Sequence, residues 1–225
     1  MTTGLATSQR ETAKAGRRDR IVSAAYELLR EVGVEETSVK LIADRAQVSR
    51  STLFNLFPGK AAILAQVFDR DLRQFEALVA AEPSADALER LFDAIRVAAR
   101  LYIADPGFYR AIMWRGRGGP DDESYAALSQ PRQAFWRRMI ETAEAEGLLV
   151  LEANAEAVSV LLATLFMGVL SDWISGVISA EQLRLEASYG FAVVLSAYAT
   201  TSAGARLKAQ LTGLQAQLQG ARRRT

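Results

Sequence analysis

The chain has 225 residues, of which 50% are hydrophobic and 24% are charged, so it can bury a core within one or two domains. It contains no cysteine and no histidine. These absences exclude a disulfide framework and argue against zinc sites and serine or cysteine triads. We therefore predict no metal site, no cofactor and no enzymatic activity. The N-terminal residues contain no apolar run of signal-peptide length, which favours a cytoplasmic protein.

The 27 basic and 26 acidic residues are distributed unevenly along the chain. Residues 1–60 carry a net charge of +3, residues 61–204 carry −7, and residues 205–225 carry +5. The two ends are therefore basic and the middle is acidic. A polyanionic partner is expected to bind at an end, where the electrostatic potential attracts it.

The N-terminal part predicts a polar arm followed by a helix. Residues 1–16 are polar and lack periodicity, which predicts a disordered arm that carries Arg10 and Lys14. Apolar residues then recur at helical spacing over residues 17–32, and Gly33 predicts the end of this amphipathic helix. The apolar positions are Ile21, Ala24, Ala25, Leu28, Leu29 and Val32.

Two short helices are predicted next, over residues 38–46 and about 49–56. Thr37 or Ser38 can cap the first of them, and Ser49 can cap the second. The Pro-Gly pair that follows ends the second helix.

The rest of the chain also predicts helices and no strand, so the predicted fold is all-α with about nine helices. Ser84, Asn154 and Ser179 are the predicted caps of three of them. The helices are predicted over residues 60–81, 84–104, 108–115, a segment ending at Gly147, 155–178 and 180–200, with a polar C-terminal helix or tail over 204–225 that ends in three arginines.

Residues 38–57 form a short helix, a tight break and a second short helix. Apolar positions in both helices would hold them together at a steep angle, which is helix-turn-helix geometry. The second helix then presents small polar and basic side chains at its N-terminal end, which is the end that enters the DNA major groove in this motif. These side chains are Ser49, Arg50, Ser51, Thr52 and Asn55.

Three side chains in or just after the second helix suit contacts with DNA. Arg50 can bind guanine or a phosphate, and Asn55 can bind adenine or a phosphate. Lys60 begins the following helix, whose free amide groups already attract a phosphate. The alternative is a plain helix pair in a bundle, which leaves this polar face unexplained.

The segment GVEETSVKLIADRAQVSRSTLFNLFPGKAAIL, residues 33–64, resembles the DNA-binding domain of the tetracycline-repressor (TetR) family. The residues at the family spacing are Thr37-Ser38-Val39, Ile42-Ala43, Val48-Ser49, Thr52-Leu53, Phe57 and Lys60. The resemblance covers roughly residues 17–77 and implies a three-helix DNA-binding domain there. It also implies a homodimer, a C-terminal ligand-binding and dimerisation domain, predicted over residues 82–203, and release from DNA when a ligand binds.

The predicted DNA contacts combine the exposed face of the second helix with the positions that the resemblance implies. Because this motif reads base edges in the major groove, the partner is a double-stranded DNA operator, expected to be palindromic for a dimer. The predicted contact residues are Ser38, Lys40, Ser49, Arg50, Ser51, Thr52, Phe54, Asn55 and Lys60.

Three positions depart from the family pattern. Gln47 occupies the turn, where glycine is usual, and a positive φ there would cost about 1 kcal/mol. Phe54 occupies a position where tyrosine is commoner, which removes one hydroxyl contact to phosphate. Leu56 occupies a position where histidine or tyrosine is common, so fewer polar contacts with DNA are expected.

The predicted helix over 155–178 is the most apolar segment of the chain. A transmembrane helix is the alternative to a buried one, but Asp172 and several hydroxyl residues interrupt the segment, so we predict a buried helix. Together with the helix over 180–200 it would form a four-helix dimer interface with a second copy. The small residues suited to close packing are Ala163, Gly168, Ser171, Ser175 and Gly176, and the next helix contributes Leu183, Ala187, Phe191, Val194, Leu195 and Tyr198.

A set of aromatic, methionine and arginine side chains in the middle of the chain predicts a pocket for a small, largely apolar effector. Aromatic and methionine side chains suit an adaptable apolar pocket, and an arginine could bind a carboxylate or phosphate on the effector. The predicted pocket residues are Tyr102, Tyr109, Met113, Trp114, Arg117, Trp136, Met139, Phe166 and Met167. Ordinary core packing is the alternative for all the apolar members.

The sequence thus predicts a ligand-responsive transcriptional regulator, and a repressor is favoured over an activator. The helix over 60–81 would couple the effector to DNA, since it joins both domains. Two other classes stay open: an all-α carrier of apolar ligands, and an enzyme of the terpenoid-synthase type. The motif PDDESY at 120–125 suggests the latter class, but Tyr125 occupies the place of its closing aspartate.

Overall fold

The computed structural model describes residues 3–114, 123–152 and 154–222, and they divide into two compact units. The first unit comprises the described residues of Met1–Leu72 and Gly107–Leu128. The second comprises those of Arg73–Pro106 and Ser129–Thr225. Three of the helices, α4, α6 and α7, contribute residues to both units, although α6 contributes only Pro106 to the second.

The described residues form ten helices and no extended strand, which confirms the all-α prediction. A single antiparallel bridge between Leu149 and Ala199 is the one β-type pairing among them. The helices are α1 (Thr3–Glu36), α2 (Val39–Arg45), α3 (Arg50–Leu56), α4 (Lys60–Ala80), α5 (Ala87–Ala104), α6 (Pro106–Trp114), α7 (Glu123–Ala145), α8 (Ala155–Ile174), α9 (Ala180–Ser196) and α10 (Thr201–Arg222).

Helix α1 begins at Thr3, so the predicted disordered arm over residues 1–16 is wrong for the described residues of that segment. The arm lacks an apolar face, but it also lacks proline. Once the amphipathic turns over 17–32 are helical, each added residue gains one hydrogen bond at little further cost, so the helix extends toward the N-terminus. The predicted break at Gly33 is present, since this residue has φ 79° and ψ 178°.

Helix α6 belongs to the first unit, where it packs against α1 and α4. The ring of Phe108 lies 4.5 Å from that of Tyr26, and the Tyr109 hydroxyl donates a 2.8 Å hydrogen bond to Asp71. The sequence placed residues 107–128 in the C-terminal domain because they follow the break at Pro83. Packing groups them with the N-terminal helices instead, although the assignment of separate domains stays a prediction.

The second unit packs α5, α8 and α10 against α9. Helix α9 is held at its start by a capping box, in which Ser179 accepts from the Gln182 amide and the Gln182 side chain accepts from the Ser179 amide. Its buried positions include Leu183, Phe191 and Leu195, none of which is measurably exposed.

The start of α5 differs from the prediction. Asp86, not Ser84, caps this helix by accepting a 2.9 Å hydrogen bond from the amide of Glu89. The Ser84 hydroxyl instead donates a 2.5 Å hydrogen bond to the carboxylate of Asp93, which is buried and needs hydrogen-bond donors from the protein. Both residues are good caps, so the sequence alone did not decide between them.

Helix α8 is long and apolar enough to cross a membrane by length and composition, and it is the one such helix among the described residues. The prediction of a buried helix holds for one face of α8 and not for the opposite face. One face, including Leu162, Phe166 and Leu170, lies in the core of the second unit. The opposite face leaves Leu161 48% exposed and Met167 36% exposed.

Asp86 provides a test of what holds α5 and α10 together. Its carboxylate caps α5 and also pairs with Arg206 of α10, and that hydrogen bond lowers the pKa of Asp86. Asp86→Ala should lose cap and ion pair and destabilise the fold by about 1 kcal/mol, whereas Asp86→Asn keeps a capping acceptor and should cost only a few tenths.

The pH dependence follows from the lowered pKa of Asp86. This contribution to stability is complete above the unfolded pKa of about 4 and is lost as the pH falls through the lower folded pKa. Urea unfolding of the three proteins at pH 7 and at pH 3 measures both effects. Equal stability of the Ala and Asn variants at pH 7 would contradict the capping role.

Candidate nucleic-acid interface and effector core

Helix α2 is fixed at its start by Ser38, whose hydroxyl accepts a 3.2 Å hydrogen bond from the amide of Leu41. Its inner side places Ile42 and Ala43 in the core, as predicted from the sequence. On the outer side, Arg45 binds the carboxylate of Glu31 through both guanidinium nitrogens, at 2.9 and 2.7 Å. This hydrogen bonding lowers the pKa of Glu31 and ties α2 to α1.

The turn between α2 and α3 is a complete Schellman motif. The amide of Val48 donates to the carbonyl of Ala43 at 3.0 Å, and the amide of Gln47 donates to that of Asp44 at 3.2 Å. Gln47 has φ 54°, so the positive φ considered from the sequence is present at a residue other than glycine. The backbone strain at Gln47 therefore lies in the short turn that ends α2 and sets the direction in which the chain enters α3.

Helix α3 has seven residues, and its inner side anchors it firmly. Ser49 caps it by accepting a 3.1 Å hydrogen bond from the amide of Thr52. Leu53 is fully buried, and Phe57, directly after the helix, is only 1% exposed. These apolar anchors leave the remaining face of α3 free to meet another molecule.

The exposed face of α3 carries the side chains that the sequence proposed for DNA. Around the start of the helix the hydroxyl of Ser49 lies 2.9 Å from that of Ser51 and 2.8 Å from that of Thr52, which forms a compact polar tip. Phe54 is 53% exposed, which is unusual for a phenylalanine with a packed helix beneath it. The exposed predicted residues are Ser38, Lys40, Ser49, Arg50, Ser51, Phe54 and Asn55, and Thr52 is half-buried.

Lys60 does not lie free on this surface. Its ammonium group donates a 2.5 Å hydrogen bond to the carbonyl of Val34, close to the break in α1. Burial lowers its pKa, although the nearby carboxylate of Glu36 acts in the opposite direction. In the unbound protein Lys60 therefore joins the start of α4 to the end of α1.

Arg18 is a residue whose role the sequence did not reveal. Its guanidinium donates a 2.8 Å hydrogen bond to the carbonyl of Leu56 and lies 4.3 Å from the centre of the Phe57 ring. A charged residue 38 positions away from its partner leaves no local pattern, so only the fold brings the two together.

Three of the predicted effector residues meet in the second unit. The rings of Tyr102 and Phe166 lie 6.4 Å apart, and the ring of Trp136 lies 5.8 Å from that of Phe166. Trp173, stacked on Tyr102 at 5.5 Å, and Phe191, 5.2 Å from Trp136, extend this group. We call these five residues the aromatic core. All are buried, so the predicted pocket is filled by its own side chains.

The other predicted effector residues do not join the aromatic core. Tyr109 is buried in the first unit, and Met167 lies on the exposed face of α8, one residue along the helix from Phe166 and therefore on a different side. Met139 is half-buried on α7. The side chains of Met113 and Trp114 lie outside the described part of the structure, and so do Arg117 and the start of the PDDESY motif.

A separate cleft of about 270 Å³ lies between α5 and α10. Its arginines are already engaged, since Arg96 pairs with Asp93 and Arg206 pairs with Asp86. None of the predicted effector residues lines it. The lining residues are Leu88, Glu89, Phe92, Arg96, Arg206 and Gln210.

Comparison with known proteins gives the same assignment for the N-terminal unit. Residues 21–67 match the family model of the bacterial regulatory proteins of the tetR family. Over 180 residues, the chain is 26% identical to the HTH-type transcriptional repressor KstR of Rhodococcus jostii, which covers 77% of this chain and 81% of KstR.

Solved structures share the fold over most of the chain. The TetR regulator TylP of Streptomyces fradiae is 24% identical, covers 96% of this chain and 94% of its own, and superimposes with a TM-score of 0.65. The repressor FadR of Thermus thermophilus, solved with lauroyl-CoA, is also 24% identical, covers 80% of this chain and 93% of its own, and gives a TM-score of 0.62. The helix-turn-helix unit thus matches the DNA-binding domain of the bacterial tetR family, and the all-helical fold of the chain is the one that solved TetR regulators share.

Proposed function

We propose that this protein is a repressor that binds a palindromic operator as a homodimer and is released by a small, largely apolar effector. The observation that carries the proposal is the recognition helix α3, whose inner side is fully buried while its polar tip is exposed. The comparison that supports repression is the likeness to KstR, a repressor by name. Activation by the same contacts is the alternative, since binding geometry does not set the sign of regulation.

In this proposal the polar tip of α3 enters the major groove. Small hydroxyl side chains allow close approach of the helix, and Arg50 and Asn55 reach base edges or phosphates. Phe54 offers an apolar surface to a thymine methyl group or to the sugar-phosphate backbone. Ser38 and Lys40, on α2, contact phosphates that set the register of the protein on DNA.

The exposed face of α8 supports the proposed dimer. Val160, Leu161 and Met167 recur at helical spacing on this face, and Gly168 lies beside them. No described residue of the chain covers this apolar face. On α9, Val193 is exposed in the same way. A second copy packed against α8 and α9 would bury both faces in a four-helix interface.

The composition of this interface differs from the one that the sequence predicted. Four of the α9 residues proposed for it are buried within the chain, where they meet its own core. They are Leu183, Ala187, Phe191 and Leu195. The interface proposed from the structure therefore uses the opposite side of α9, which includes Tyr189 and Val193, together with Ala197 just after the helix.

An effector that acts through the aromatic core must separate rings that now touch one another. Such a ligand would bind only a minor conformation, and its differential affinity would set how far it shifts the population. Helix α4 belongs partly to each unit, so a change in its position would reach the recognition helices. A tenfold loss of operator affinity requires about 1.4 kcal/mol of differential effector binding.

Selection of bound sequences from a random duplex library tests the operator proposal. We expect wild type to enrich a palindrome with half-sites about one DNA turn apart, because two recognition helices related by a two-fold axis read two major grooves. Arg50→Ala should lose operator affinity by about 1–3 kcal/mol and relax the preference at one position of each half-site. Arg96→Ala is the control, because it also removes one positive charge but lies in the second unit, and it should keep the operator preference. If wild type enriches no sequence, α3 does not read bases.

Leu161→Glu tests the dimer. A carboxylate buried in the centre of the proposed interface should weaken self-association by at least about tenfold and lower operator affinity with it, since an unpaired buried charge costs several kcal/mol. Val150→Glu, at another exposed apolar residue, should leave the dimer intact. Sedimentation velocity over a concentration series measures both variants. A Leu161→Glu protein that remains dimeric would show that α8 does not form the interface.

Displacement of the protein from its selected operator tests the effector. Lauroyl-CoA and lauric acid are the first probes, because the core is apolar and Thermus thermophilus FadR was solved with lauroyl-CoA. A binding probe should alter the tryptophan emission of Trp136 and Trp173 and weaken operator binding by at least about tenfold. Phe166→Leu should reduce this response, whereas Met167→Leu, the matched change on the exposed face, should preserve it. An equal response in both variants would place the effector elsewhere.

A further inference from the structure

Helix α3 is too short to hold its own conformation. Helices of seven residues are unstable alone, and the last carbonyl groups of any helix lack partners within it. Ser49 caps the first turn, and Leu53 anchors the inner side. The C-terminal end therefore needs a contact from another helix if the angle of α3 is to be fixed.

Arg18 of α1 supplies that contact. Its guanidinium donates a 2.8 Å hydrogen bond to the carbonyl of Leu56, the last residue of α3. The same group lies over the ring of Phe57, 4.3 Å from its centre, and this ring is 1% exposed. A positive charge at this end also complements the helix dipole. One side chain thus binds both the last carbonyl of α3 and the aromatic anchor that follows it.

We propose that Arg18 is a positioning residue for operator recognition, which fixes the recognition helix from its C-terminal end and does not itself contact DNA. This inference rests on the proposed function, in which α3 reads the operator. Arginine suits the task better than lysine, because its planar guanidinium can stack on a ring while its edge donates a hydrogen bond. The alternative is that Arg18 contacts a DNA phosphate directly.

The salt dependence of DNA binding separates the two roles. Each phosphate contact contributes about −0.9 to the slope of log affinity against log salt. A positioning residue contributes to the affinity for the operator without contributing a phosphate contact. Loss of Arg18 should therefore lower operator affinity and leave the slope unchanged.

The experiment compares Arg18→Ala with Arg20→Ala, which removes the same charge from an exposed position of the same helix. Affinity for the selected operator and for a scrambled duplex is measured over a salt series. We expect Arg18→Ala to lose at least about tenfold in operator affinity, or about 1.4 kcal/mol, with the slope and the scrambled-duplex affinity equal to those of Arg20→Ala. A slope reduced in magnitude by about 0.9 for each Arg18, with equal losses on both duplexes, would overturn the proposal. Unchanged operator affinity would overturn it as well.

Amide hydrogen exchange tests the same contact without DNA. Arg18→Ala should speed exchange at residues 53–57 more than at 42–46 of α2, since only α3 loses a contact at its end. Equal exchange rates in the two segments would contradict the proposed role of Arg18 as a positioning residue. If wild type selects no operator, the proposed function fails while this measurement still decides the role of Arg18.

Arg18→Lys keeps the test decisive if circular dichroism shows that Arg18→Ala does not fold. Lysine retains the charge and one possible hydrogen bond but lacks the planar stack on Phe57. We expect operator affinity below wild type, faster exchange at residues 53–57 and an unchanged salt slope. Wild-type affinity and exchange in Arg18→Lys would overturn the proposal.

Discussion

The burial of Leu53 and Phe57 beneath a seven-residue helix is the constraint on which the DNA-binding unit depends. Without these anchors α3 would not be a helix, and its polar tip would have no fixed direction. The rest of the unit limits how the anchored helix can rotate. The strained turn at Gln47 fixes where the helix begins, and Arg18 binds it where it ends. Recognition of DNA is thus prepared by contacts that face away from the DNA.

The second unit resolves a similar problem for α8, which is apolar on nearly every side. One face of the helix packs into the core through Leu162 and Phe166, and Gly190 of α9 lets Leu165 approach closely. The other face remains exposed around Leu161. An apolar surface of this kind is costly in water, and a second copy of the same helices would remove the cost. The chemistry that makes α8 resemble a membrane segment thereby supports a dimer.

Much of the candidate site could be predicted because it depends on local contacts. Ser38 and Ser49 cap their helices over three residues, and the break between α2 and α3 follows from hydrogen bonds within six residues. Predictions failed where distant groups compete for one residue. Ser84 was the expected cap of α5, but the buried carboxylate of Asp93 takes its hydroxyl. The contact of Lys60 with a DNA phosphate stays a prediction, and in the unbound protein its ammonium group donates a hydrogen bond to the carbonyl of Val34.

The sequence by itself determined the helix-turn-helix and the all-helical class, because apolar periodicity, caps and breaks act over a few neighbouring residues. Only the tertiary structure decided which apolar faces are covered. Phe166 and Met167 are adjacent and equally apolar in the sequence, yet one lies in the aromatic core and the other is exposed. It also decided that Arg18 reaches Leu56. Such contacts join residues far apart in the chain, and their energy depends on packing that no short stretch of sequence encodes.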